Sequence, residues 1–285
     1  MFKSLNAGLV GAKPGGFEAT LAIAKKYGYG AIAYSPEALE NEGIDTYQAL
    51  DLMGQYGMIV SDFGLPLQIT SKENFNEGFP KLEKAARAAA KLGIHRCVTW
   101  MSSSSNDRDY AENFAYHTKM FRTIAEVLGA YDIRFGVEFL GPKAAWTRGQ
   151  YPFIHNIDKM LELFDAVGTG NIGLMLDAHH CYCSGLKGAD FAQYIRSEKD
   201  IVLVHLNDDA AGVPLDEIKD SPRYYPGEPG GGANDLISFM KALKDLNYTG
   251  PVTAEPNSAT IKGMAGDDDG IVKIISESTD SVWPR

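Results

Sequence analysis

The chain has 285 residues, 45% hydrophobic and 22% charged, enough apolar material for a sizeable core and without a signature of disorder. A formal net charge of -10 and a pI near 5.1 repel phosphate backbones, which argues against nucleic acid as a partner. No stretch reaches the roughly 18 apolar residues of a membrane helix, and the first residues lack an apolar export core, so neither membrane insertion nor export is expected.

Short apolar runs alternate with segments of helical periodicity, as when parallel strands are joined by crossover helices. In chain order the predicted strands are Leu5 to Val10, Ala31 to Ser35, Met58 to Phe63, Arg96 to Met101, Arg134 to Leu140, Ile172 to Asp177, Ile201 to Asn207 and Val252 to Glu255. The predicted helices are Phe17 to Tyr27, Thr46 to Tyr56, Asn74 to Leu92, Asp109 to Ala130, Ile157 to Val167, Gly188 to Ser197, Asp235 to Leu246 and Gly270 to Glu277. Glycines such as Gly57 and Gly168 stand where a left-handed helix end is wanted. About eight such units without an intervening linker predict a single (β/α)8 barrel domain over residues 1–285, whose functional loops follow the strands. The glycine-rich tract from Pro226 to Gly232 lies in one of those loops and lacks the spacing of a nucleotide-binding motif.

The last four predicted strands share a feature that apolar packing does not explain. Each ends in a metal-binding residue type: Glu138, Asp177, His205 and Glu255. Strand alternation turns each inward, because its neighbours (Val137 and Phe139 around Glu138, Val204 and Leu206 around His205) would face the helices. Three carboxylates meeting without a cation would repel one another, so a divalent ion is expected. Three carboxylates and one imidazole suit Mn²⁺, with Co²⁺, Zn²⁺ and Mg²⁺ as competitors.

The stretches Gly-Val-Glu-Phe-Leu-Gly-Pro (136–142), Leu-Asp-Ala-His-His (176–180), His-Leu-Asn-Asp (205–208), Arg-Tyr-Tyr-Pro-Gly-Glu (223–228) and Glu-Pro (255–256) resemble those of the sugar phosphate isomerase/epimerase family with a xylose isomerase-like TIM barrel. That group includes ketose 3-epimerases and 2-keto-myo-inositol isomerase. The resemblance implies that Glu138, Asp177, His205 and Glu255 bind the metal and that His180 and Arg223 hold substrate oxygens. The long segment from Asp208 to Gly232 looks more like the inositol-type members. Ala144 stands where ketose 3-epimerases place a substrate-binding glutamate.

The residue types point to a reaction. A divalent ion chelating a carbonyl and its neighbouring hydroxyl stabilises an enediolate, and Glu138 and Glu255 then serve as base and acid. The substrate is expected to be a small keto-polyol or ketose, handled by an isomerase or epimerase. Elimination by a lyase or dehydratase on the same site is the alternative, with apurinic-endonuclease-like phosphodiester cleavage or non-catalytic sugar binding as further classes. Arg223 would neutralise charge or grip the substrate, or else form a surface ion pair. Trp100 and Trp146 are candidate apolar walls and Lys143 a candidate oxygen contact, against ordinary packing and solvated roles. Cys181 and Cys183 lack an evident base and read as small buried thiols. With Cys97 they make an odd set of three that suits a reducing cytoplasm, and pairing of the barrel into a homo-oligomer is an open expectation.

Overall fold

A computed structural model describes residues 1–285. Its frame is a set of short strands: β1 (Phe2–Leu5), β2 (Ala31–Ala33), β3 (Ile59–Gly64), β4 (Arg96–Met101), β5 (Arg134–Phe139), β6 (Ile172–Asp177), β7 (Ile201–Leu206) and β8 (Pro251–Ala254). They close into one barrel in which every neighbouring pair is parallel and β1 lies between β2 and β8. Helices join successive strands and pack outside. The fold is the expected α/β barrel.

The strands form where the sequence alternates correctly for a sheet buried on both faces. Val137 and Phe139 are fully buried against the outer helices, and Phe135 meets Phe121 of the helix Tyr110–Gly129 edge-on with ring centroids 5.6 Å apart. That helix starts where expected because Asp109 and Glu112 form a reciprocal cap. The helices Thr46–Tyr56 and Ile157–Val167 end at Gly57 and Gly168, whose φ values of 61° and 70° only glycine adopts freely.

Three elements depart from the sequence reading. The first strand is not Leu5 to Val10 but Phe2–Leu5, and Val10 belongs to a turn in which its amide bonds to the carbonyl of Asn6. Hydropathy hid this strand because its inward face is polar: Ser4 Oγ lies 2.7 Å from Ser61 Oγ inside the barrel. The predicted helix from Gly188 to Ser197 is a tight 3₁₀ turn over Gly188–Tyr194, with Ile195 already extended. A short helix, Pro36–Asn41, with Ser35 as its cap, interrupts the link after β2. No helix is long and apolar enough to cross a membrane.

Candidate active site

The polar residues at the ends of β5 to β8 converge. Register explains why: Asp177 pairs with His205 across β6 and β7, and Thr253, two residues before Glu255, pairs with His205 across β8 and β7. His205 stands at the centre. Its Nδ1 lies 3.2 Å from Glu138 Oε1, 3.0 Å from Glu255 Oε2 and 3.8 Å from Asp177 Oδ2. One donor atom from each of the four residues falls within 4.8 Å of all the others.

This cluster carries a surplus of negative charge that the protein answers only in part. Burial by itself would raise the Glu138 carboxyl, but the nearby His180 and the hydrogen bond and charge of His205 hold it below the usual carboxylate range. Burial would likewise depress the His205 imidazole, yet Glu255 and Glu138 push it well above its usual value. So much demand for positive charge among three buried carboxylates is what a divalent cation satisfies, and the oxygen-rich donor set with one imidazole fits such an ion.

Each donor is aimed by neighbours. Asp177 caps the short helix Ala178–Cys183, one oxygen accepting from the His180 amide at 2.9 Å, while the other accepts from Asn207 Nδ2 at 3.0 Å. Asn207 also accepts from the His179 amide at 2.9 Å, so one side chain ties the ends of β6 and β7 together. Arg223 reaches Glu255 from the long loop through a fork, Nη1 to Oε2 at 3.0 Å and Nη2 to Oε1 at 3.1 Å. The loop is held there by backbone pairing of Tyr224 with Asp208 and by Asn257, whose side chain accepts from the Arg223 amide at 2.7 Å. Asp208 fastens it further by accepting from the amides of Gly232 and Asn234. A buried fork on Glu255, rather than a surface ion pair, is therefore what the loop delivers.

His180 is buried with Nε2 3.7 Å from Glu138 Oε2 and 3.8 Å from Asp220 Oδ1, and that nitrogen has no hydrogen-bond partner. Burial would lower its pKa, but Asp177 and Glu138 raise it, and because the Gly141 amide donates to Nδ1 at 3.4 Å the ring proton lies on Nε2, facing the carboxylates. Gly141 permits this packing, since a Cβ there would sit 2.2 Å from the His180 carbonyl oxygen. His179 is turned away, with Nδ1 2.6 Å from Asp209 Oδ1. Cys181 and Cys183 are buried free thiols, and burial pushes both up, which leaves them poor nucleophiles.

A cavity of about 510 Å³ opens over the cluster, with Glu138, His205 and Glu255 at its base. Trp100 stands on its wall, half exposed and paired in register with Glu138. Trp146 and Lys143 are placed elsewhere: Trp146 stacks on His155 at 4.7 Å between centroids, and exposed Lys143 pairs with Asp216 at 3.3 Å. Neither lines the cavity. Two residues went unremarked in the sequence. Asp62, buried on the opposite wall, follows Ser61 in β3 where the pairing with β2 slips by one residue, and Asn207 sits two places after His205, where strand alternation returns it to the inner face.

Comparison with known proteins agrees with this architecture. An inosose isomerase of Halalkalibacterium halodurans is 29% identical over 133 residues, a match spanning 46% of this chain but only 42% of that relative. A probable ketose 3-epimerase of Synechocystis sp. is 25% identical over 85% of this chain and 79% of its own length. The crystal structure of an IolI protein with a bound zinc atom superposes with a TM-score of 0.80, covering 99% of this chain and 98% of that one, at 17% identity. The model of the xylose isomerase-like TIM barrel matches residues 21–275. The chain belongs to the xylose isomerase-like TIM-barrel family.

Proposed function

We propose that this protein is a divalent-metal-dependent isomerase or epimerase of a keto-polyol of the inosose or ketose type. The observation that carries the reading is the meeting of Glu138, Asp177, His205 and Glu255 beneath one cavity. The names of the inosose isomerase and ketose 3-epimerase relatives support the substrate class. Glu138, Asp177, His205 and Glu255 would hold the cation, with Mn²⁺, Co²⁺, Zn²⁺ and Mg²⁺ as the candidate ions. When bound, the cation supplies Lewis-acid polarisation of a carbonyl and its neighbouring hydroxyl.

The chain's own groups do the rest. Glu138 and Glu255 rise from the two ends of the β5 to β8 arc and both approach His205, so they flank the position above it. One removes the proton on the carbon beside the carbonyl and the other returns a proton to the opposite face or the adjacent carbon. Arg223 fixes the carboxylate plane of Glu255 through its two bonds, and His180 offers its free Nε2 as a donor to substrate oxygen. Trp100 presents an apolar face to the carbon side of the ring.

The test is incubation of protein reconstituted with each cation, with 2-keto-myo-inositol and a set of ketoses in D₂O, followed by NMR and mass spectrometry. Deuterium incorporated beside the carbonyl in an isomeric product is the expected result. Loss of water from the product would move the assignment to elimination on the same site. Absence of exchange with every cation and substrate would remove the enzymatic reading.

A further inference from the structure

A second cavity, of about 520 Å³, adjoins the first. Both are lined by Thr99 and Trp100, so they meet at the end of β4. Together they reach the upper end of the roughly 300–1,000 Å³ usual for a ligand pocket, more space than one six-carbon ring needs. The register of Trp100 with Glu138 puts the indole on the same side of the sheet as the catalytic carboxylate. It is 50% exposed, a large apolar surface left in water between the two cavities.

The far compartment is furnished with planar polar groups that the fold holds still but leaves with spare hydrogen bonds. Asn106 Oδ1 accepts from the Gln150 amide at 3.0 Å, which leaves its NH₂ free. Gln68 accepts from Asn74 through Oε1 at 3.4 Å and likewise keeps its NH₂ unbonded. Arg108 donates through Nε to Asn113 Oδ1 at 2.9 Å, and its guanidinium carbon lies 4.0 Å from the centroid of the Tyr116 ring. The two Nη groups of Arg108 have no carboxylate partner. Asp107, exposed beside it, supplies an acceptor.

Amides, a guanidinium and a carboxylate around an exposed indole match the surface of a sugar ring, whose C–H face stacks and whose neighbouring hydroxyls both give and accept hydrogen bonds. We propose that the far compartment binds a second sugar unit, so that the substrate is a keto-glycoside or ketose disaccharide whose reacting ring lies over Glu138 and Glu255 and whose other ring crosses Trp100. This rests on the function proposed above and names the substrate class within it. Groups held by their own hydrogen bonds lose little freedom on binding, which favours a specific distal contact.

Calorimetry on manganese-loaded protein tests it, with D-fructose and 2-keto-myo-inositol as single rings and turanose, leucrose, palatinose and 3-ketosucrose as two-ring probes. At least one two-ring probe is expected to bind about tenfold or more tighter than the single rings, a difference of about 1.4 kcal/mol. In the Asn106→Ala, Arg108→Ala double variant the ratio of single-ring to two-ring Kd should fall to about one; Gln68→Ala provides a milder variant, expected to reduce it partially. If single rings bind and are turned over, with turnover abolished by Glu255→Gln, yet no two-ring probe binds tighter, the second-sugar proposal falls and the enzymatic reading stands. Failure of every probe to bind or react would overturn both.

Discussion

The two halves of the barrel rim are made of different chemistry. The ends of β5 to β8 carry three carboxylates and an imidazole within a few ångströms of one another, each aimed by a fixed neighbour. The ends of β1 to β4 carry hydroxyls, one buried carboxyl and a half-exposed indole: Ser4, Ser61, Asp62 and Trp100. Under the proposed function, charge that has to change hands belongs on the first half, and shape that has to be recognised belongs on the second. The barrel allows this division because its strands are linked by register while their loops differ freely.

The division is sharpest at the glutamates. Glu138→Gln and Glu255→Gln should each lower kcat by about 10²–10⁴-fold, because acid–base function is lost while the side-chain shape is kept. Turnover near the parent level in either variant would dissolve the comparison. Next is Arg223→Leu, which strips Glu255 of its buried partner and should cost roughly 3–5 kcal/mol in urea unfolding of the metal-free protein. A loss well under that would mean that the fork on Glu255 is dispensable.

Metal removal tests the same half without a mutation. Chelation should abolish activity and lower stability by about 4 kcal/mol relative to protein held at a thousandfold excess of cation over its Kd, with recovery on re-addition. An unfolding midpoint indifferent to both chelator and Mn²⁺ would contradict it. Asn207→Ala, which frees Asp177 on one side, should weaken metal affinity by about 10–100-fold, read by competition with a chelating dye. The other half supplies the smallest effect. Burial raises the Asp62 carboxyl, with the Ser61 hydroxyl bond and the charge of His205 opposing it, so Asp62→Asn should change unfolding stability by less than about 1 kcal/mol and leave turnover nearly intact. A large fall in kcat would instead bring Asp62 into the machinery.

The same contrast governs how much could be seen in the chain alone. Strands β5 to β7 are legible because apolar runs end abruptly in a carboxylate or an imidazole, so both the strand and its polar tip declare themselves. Strand β1 is not, because Ser4 faces inward to Ser61 and breaks the apolar pattern, while most of the run Leu5 to Val10 that mimics a strand is a turn following Leu5. Trp100 was placed on the cavity wall from its position at a strand end. Trp146 and Lys143, close in sequence to Glu138, lie on the short helix Lys143–Trp146, which carries them to His155 and Asp216.

The order of apolar runs and punctuating glycines was sufficient for the barrel and for the four inward donors, since strand alternation is a local property with a period of two. What folding alone decided is which distant groups meet them: the fork of Arg223 across a long loop, the two hydrogen bonds of Asn207, the free Nε2 of His180 and the second compartment behind Trp100. Those depend on where a loop lands and how two strands are staggered, and such long-range geometry leaves no periodic trace in the order of residues.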